Sequence, residues 1–161
     1  MRWPRAAKGG AHLMNKSDLV PLMSAEEVNA LLGRVYPQLN DDFADYRATD
    51  VFAGGCTVRL MAGERHLRPG GTVSGPSLFT LADIGGYVCV LTHGGPDVLS
   101  VTTNLNINFM RKAPAGPIDG HCRILKLGRS LMVFEIDMVA GPDGLTVAHA
   151  TGTYSIPPRR G

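Results

Sequence analysis

From Pro76 to Leu91 the chain is apolar at nearly every position, and Asp83 is the only charge in the run. A stretch apolar on all sides predicts a helix enclosed by a core. An ionised carboxylate buried there is costly unless it is hydrogen-bonded or paired, so Asp83 calls for a satisfied cap, a neutral state or a catalytic role. Beyond this helix the hydrophobic period changes. From Val98 to Met110, Val101, Leu105, Ile107 and Phe109 fall on alternate positions, which predicts a strand. Runs near 118–127, 130–140 and 146–156, separated by Gly128-Arg129 and by Gly141-Pro142-Asp143-Gly144, predict three more strands joined as antiparallel hairpins. Upstream, segments near 46–53, 56–62 and 64–68, set off by Gly54-Gly55 and Gly63, predict a strand meander. Ser24-Ala25-Glu26-Glu27 opens a short helix, with Ser24 as N-cap, Glu27 at the capping-box position and Gly33 as the stop. The long buried helix followed by a four-strand meander makes the expected fold α+β: a central helix wrapped by a curved antiparallel sheet, plus a short N-terminal helix.

Composition changes this picture little. The 161 residues, 44% hydrophobic and 19% charged, fit one domain with one core. Residues 1–18 lack periodicity and carry Arg2, Arg5, Lys8 and Lys16 against Asp18, so they are expected to be a disordered basic tail, with Met14 an alternative start. The domain then spans 19–161 and is near neutral, without the basic, aromatic-bearing stripe that nucleic-acid binding would want. The weakly charged stretch from about Gly70 to Leu91 is broken by Gly, Pro, Ser and Asp83, and the N-terminus lacks an apolar signal region. No membrane association and a cytoplasmic location are the expectations. Cys56, Cys89 and Cys122 are odd in number and far apart in sequence without a CxxC pair, and no two histidines have ligand spacing, so neither a disulfide framework nor a metal site is expected and the cysteines are expected to be core thiols.

The segment Arg68-Pro69-Gly70-Gly71-Thr72-Val73-Ser74-Gly75-Pro76, followed by Leu81-Ala82-Asp83, Leu99-Ser100-Val101 and Asn106-Ile107-Asn108-Phe109-Met110-Arg111, resembles the hot-dog-fold acyl-CoA thioesterases of the phenylacetate-pathway type over roughly 66–156. The resemblance implies a hot-dog fold and hydrolysis of acyl-CoA thioesters to free acid and CoA. It puts Asp83 on the catalytic carboxylate, Gly75 on the glycine whose N–H polarises the thioester carbonyl, and Ser100 on a small polar residue beside the attacking water. Arg68 stands where the family usually has Asn, Ser74 replaces a His, and Pro76 replaces the second Gly. A related hot-dog class, the enoyl-CoA hydratases, pairs the Asp with a His five residues on; Val88 stands there.

Hydrolysis of a thioester requires a base or nucleophile on one side of the carbonyl and donors toward the developing oxyanion on the other. Along one helix, at about 1.5 Å per residue, Asp83 and Gly75 would lie roughly 12 Å apart, too far to hold one carbonyl. The site is therefore expected to combine two subunits, in a homodimer or dimer of dimers. Pro76 suits a first helical turn, where its missing N–H has no intrahelical acceptor. Ser74 is either an N-cap or a substrate contact. Arg68 is either a solvated charge at a strand end or a ligand for a carboxylate or phosphate. Arg111 and Lys112, together with Arg129 and Ser130 in the Lys126–Ser130 turn, are candidates for contacting CoA, the turn by its resemblance to the loop lining the pantetheine channel. No cofactor is implied beyond the CoA of the substrate. A non-catalytic acyl-CoA-binding protein of the same fold is the alternative.

Overall fold

The computed structural model describes residues 15, 18–39 and 45–158. The expected tail, residues 1–18, lies outside them apart from Asn15 and Asp18. Helix α1 (Ala25–Val35) begins with the expected reciprocal cap: Glu27 N–H donates to Ser24 Oγ, and Ser24 N–H donates to Glu27 Oε2. Gly33 does not stop it. The helix runs one half-turn further because Val28 and Leu32 anchor it in the core, and tertiary packing outweighs the weak helix propensity of one glycine.

A six-stranded antiparallel sheet runs in the order β1-β2-β6-β7-β8-β5, with β1 Tyr46–Phe52, β2 Gly55–Ala62, β5 Val101–Phe109, β6 Gly116–Leu127, β7 Leu131–Ala140 and β8 Leu145–Ser155. A separate two-residue ribbon joins β3 (Leu67–Arg68) to β4 (Thr72–Val73) through Gly70 and Gly71, both at positive φ. Two expectations need correction. Residues 64–66 form a 3-10 turn rather than strand, closed by Gly63 N–H donating to His66 Nδ1. The four later strands are not a simple meander either: β6, β7 and β8 form consecutive hairpins, but β5 pairs with β8 and leaves β6 inside the sheet. Local alternation sets strand identity but not pairing order, and both orders bury the same inward-facing residues.

Helix α2 (Gly75–Cys89) lies in the concave face of the sheet and passes into a wider π-type turn over Val90–Gly94. By length and composition Gly75–Gly94 would also serve as a membrane span, but 72% of an 18-residue window within it is buried in the fold. Close contact is permitted by glycine: a Cβ on Gly86 would come within 2.4 Å of the Phe134 ring, and one on Gly85 within 2.6 Å of Ile136. Gly86→Ala is therefore expected to destabilise despite the higher helix propensity of alanine. Overpacking of about 2 kcal/mol would lower Tm by roughly 5 °C in a chain of this size, measurable by calorimetry; an unchanged Tm would mean that Phe134 can withdraw without cost.

The edges of the sheet differ. Asn29 of α1 pairs with the backbone of Ala48 on β1, its Nδ2 donating to the carbonyl (2.8 Å) and its Oδ1 accepting from the N–H (2.9 Å), so that edge is covered. No element among the described residues covers the outer edge of β5. The three cysteines are buried free thiols, as expected. Remote in sequence, they meet in space, because β2 and β6 are paired with Cys56 opposite Cys122 and the end of α2 brings Cys89 onto both.

Candidate functional site

The N-terminus of α2 is built by Ser74, whose Oγ accepts from Ser77 N–H at 3.3 Å and whose backbone is extended. Its hydroxyl also meets Ser77 Oγ at 2.9 Å, so Ser74 is occupied as an N-cap. Pro76 carries no N–H, and Leu78 N–H donates to the Ser74 carbonyl. Gly75, in the first turn, has by position no intrahelical acceptor for its own N–H. A Cβ on Gly75 would sit 3.3 Å from the Phe109 ring, so glycine lets the end of β5 lie against the helix start. Around these residues is a cleft of about 470 Å³ lined by Arg68, Gly75, Phe109, Arg111 and Lys112 among others. Three cations thus share the cleft with the positive end of the helix. Arg111 Nη1 donates to the Thr146 carbonyl at 2.9 Å, which fixes its position, whereas Arg68 has no ion pair among the described residues.

Eight residues further along the same helix, Asp83 lines a second cleft of about 450 Å³ with Tyr87, Ser100, Val101, Thr102 and Tyr154. It is half-buried, and the helix is not enclosed on every side: Pro76 and Phe79 are exposed and Thr80 and Asp83 only partly covered. Their spacing draws one stripe from the Gly75 end to the carboxylate, which corrects the expectation of a helix surrounded by core. Asp83 Oδ1 accepts from Thr102 Oγ1 at 2.6 Å and lies 2.8 Å from the Tyr154 hydroxyl, which is also 2.9 Å from the Asp83 carbonyl. Oδ2 has no hydrogen-bond partner among the described residues. One carboxylate oxygen is thereby held while the other is unpaired among the described residues.

Tyr154 stays protonated in this setting. Burial, and then the neighbouring Asp83 charge, push its phenol far above the usual value, so it acts as a donor at any physiological pH. Its ring stacks on Tyr87 at 6.0 Å, and Tyr36 meets Tyr87 edge-on at 6.4 Å, giving the cleft an aromatic wall. The Tyr87 hydroxyl donates to the Val98 carbonyl at 2.9 Å, which satisfies it at the cleft wall. Ser100 Oγ, fully buried, is the one buried side-chain polar atom without a partner among the described residues. Buried hydroxyls are normally hydrogen-bonded, so this one is suited to a ligand or water in the Asp83 cleft.

The structure therefore brings Asp83 and Ser100 together, and separately Gly75, Arg68 and Arg111. Arg129 joins neither group. It lies in a third cleft of about 630 Å³ with His93, Leu127 and Ile156, and the Ser130 carbonyl accepts from Ile156 N–H nearby. Sequence reasoning overlooked Thr102, Tyr154 and Phe109. Thr102 and Tyr154 are cross-strand partners in the β5–β8 register, which sets both hydroxyls beside the carboxylate.

The family model of the thioesterase superfamily matches residues 70–147, which include all of α2 and β5 and, of the Asp83 cleft, Asp83, Tyr87, Ser100 and Thr102 but not Tyr36 or Tyr154. A Pseudomonas aeruginosa protein named "putative esterase" is 33% identical over 102 residues, covering 62% of this chain and 74% of that one. The crystal structure of a "putative thioesterase" from Silicibacter sp. TM1040 superposes with a TM-score of 0.78 at 43% identity, covering 87% of this chain and 96% of that chain. Another, from Ralstonia eutropha JMP134 and titled a "putative thioesterase, phenylacetic acid degradation-related protein", has a TM-score of 0.69 at 26% identity, covering 80% and 98%.

Proposed function

Because the chain belongs to the thioesterase superfamily, a family of hot-dog thioester hydrolases, we propose that it hydrolyses acyl-CoA thioesters at sites shared between the two subunits of a homodimer. The observation that carries this reading is the position of the two clefts at opposite ends of one uncovered strand edge. Val101, at the start of β5, lines the Asp83 cleft, and Phe109, at its end, lines the Gly75 cleft. Leu105 is the midpoint. If two β5 edges pair antiparallel with Leu105 opposite Leu105, Val101 of each falls opposite Phe109 of the other. Each Asp83 cleft then abuts the partner's Gly75 cleft, twice per dimer, as an isologous interface requires. The exposed apolar side chains of Val101, Phe109 and Met110 on an otherwise unprotected edge fit burial in such an interface.

In the proposed reaction, Asp83 Oδ2 takes a proton from water as the water oxygen bonds to the thioester carbon. The carbonyl oxygen, turning into an oxyanion, receives the N–H of Gly75 of the partner subunit at a helix N-terminus. Collapse of the adduct breaks the C–S bond, and the proton held by Asp83 passes to the departing CoA sulfur. Asp83 acting as nucleophile through an anhydride would use the same geometry. Ser100 Oγ is suited to orient the water. Arg111, Lys112 and Arg68 offer charge for the CoA phosphates, and the apolar wall of Tyr36, Ile84 and Tyr87 faces the acyl group. Arg129 and Ser130, outside both clefts in the protomer, are retained as more distant contacts to CoA.

The test is a panel of short, medium-chain, aromatic and dicarboxylic acyl-CoAs, with CoA release followed by a thiol reagent and oligomeric state by sedimentation. Turnover of at least one thioester by a protein that sediments as a dimer or larger is expected. Tight binding without turnover across the panel would favour an acyl-CoA-binding role, and a stable, active monomer would rule out the shared site.

A further inference from the structure

Apart from the proposed catalytic clefts, the fold assembles a group of side chains that thioester hydrolysis does not use. Cys56 of β2, Cys122 of β6 and Cys89 of α2 are each fully buried. The Cys89 sulfur lies 3.4 Å from that of Cys56 and 3.3 Å from that of Cys122, and all three lie within 4.8 Å of one another. Burial and the contact with Cys56 push the Cys122 thiol well above its usual range, so the unliganded group is held as neutral thiols. No histidine or carboxylate joins the group among the described residues.

The geometry points to a tris-thiolate binding site for a trivalent thiophilic metalloid of the arsenite class. Soft thiolate donors select soft acceptors, and charge then chooses among these. A divalent ion on three thiolates leaves a net negative charge in an apolar core, where the nearby cation Arg123 is already ion-paired with Glu135 and Asp137, which is costly. A trivalent centre leaves none. Coordination number agrees, since zinc on three cysteines would lack its fourth protein ligand, whereas a trivalent metalloid is three-coordinate, with a lone pair in the fourth direction. Spacing agrees as well. With bonds of about 2.3 Å, as for zinc and sulfur, two sulfurs lie about 3.8 Å apart at the tetrahedral angle and about 3.3 Å apart near a right angle. The two contacts of Cys89 match the second, pyramidal arrangement, and Cys56 and Cys122, within 4.8 Å of each other, would close to the same spacing on binding.

Binding needs no oxidant. Three Cys–SH and one As(OH)3 give As(S–Cys)3 and three water molecules: each As–O bond is replaced by an As–S bond, each thiol proton leaves on a hydroxide, and arsenic stays trivalent. Arsenous acid is small and uncharged at neutral pH, so its passage into the core carries no cost of desolvating an ion. Once bound, it would tie α2 to β2 and β6.

The experiment incubates the full-length reduced protein with sodium arsenite, both folded and during refolding from denaturant, removes free arsenic by desalting, and measures retained arsenic by mass spectrometry. One arsenic per chain is expected in at least one of the two preparations, with a raised Tm and three sulfur neighbours in X-ray absorption. Cys89→Ala and Cys122→Ala, each checked for folding by circular dichroism, are expected to reduce retention to background. Absence of arsenic in both preparations would overturn the proposal, as would retention unchanged in a folded variant lacking one of the thiols. Zinc held at one per chain in preference to arsenite would overturn the trivalent assignment. None of these outcomes depends on thioesterase activity.

Discussion

Asp83→Asn is expected to lower kcat for acyl-CoA hydrolysis by about a thousandfold, the middle of the range for loss of a positioned general base, while KM and Tm change little. The substitution is nearly isosteric. An asparagine at position 83 can keep its amide oxygen where Oδ1 now accepts from Thr102 and Tyr154, which leaves NH2 at the position of Oδ2. That group can neither take a proton from water nor attack a carbonyl. Because Asp83 is half-buried and its surroundings remain hydrogen-bonded, the fold has little reason to respond. The measurement is steady-state kinetics on the best thioester of the panel, with Tm taken on the same preparation. Hydrolysis at the wild-type rate would remove Asp83 from the mechanism. A large fall in Tm would instead identify the carboxylate as a structural anchor for the Thr102 and Tyr154 hydroxyls.

The two hydroxyls that hold Asp83 also mark the limit of what the sequence makes legible. Asp83 itself stands out because a lone charge in an apolar run is visible without any fold. Tyr154 is hidden in a strand where Ala148, Ala150, Gly152 and Tyr154 alternate as ordinary inward-facing residues. A signal existed: a buried tyrosine hydroxyl needs a partner, and Asp83 is the only carboxylate on the central helix. Pairing the two, however, requires knowing that β8 lies beside β5, and hydrophobic alternation does not specify neighbours. The same missing information produced the expectation of a four-strand meander.

The elements legible from sequence were those set by local chemistry. The cap of α1 at Ser24 and Glu27, the cap of α2 at Ser74, and the turn at Gly70 and Gly71 each follow from residues within a few positions of one another. Gly33 misled because the anchoring of α1 is tertiary. The convergence of the three cysteines is hidden for a related reason, since spacing rules describe short motifs, whereas three residues on three separate elements meet only through packing. The uncovered stripe of α2 is likewise invisible in composition: Phe79 is as apolar as its buried neighbours, and only the absence of a covering element distinguishes it.

That stripe and the open β5 edge lead to the second large effect, which separates a shared site from one contained in a single subunit. Gly75→Pro removes the proposed oxyanion donor at a position where proline is favoured, and, because its Cβ comes within 3.3 Å of the Phe109 ring, the variant is first checked for Tm and dimerisation; with both kept, a fall in kcat of about a hundredfold or more is expected. The Gly75→Pro and Asp83→Asn homodimers should each be nearly inactive. Dissociated, mixed in equal amounts and reassembled, they should form hybrids. In each hybrid one site carries both substitutions, while the other combines the intact Asp83 of one chain with the intact Gly75 of its partner. Random pairing makes half the dimers hybrid and half of their sites intact, so about a quarter of wild-type activity should return. Two defective proteins cannot restore each other if Asp83 and Gly75 act within one chain, so mixing without recovery, when hybrids are demonstrated by native mass spectrometry, would rule out the shared site. Recovery would tie catalysis to the pairing of β5 edges, since the roughly 12 Å of helix between the two residues leaves one subunit no way to bring both to the same carbonyl.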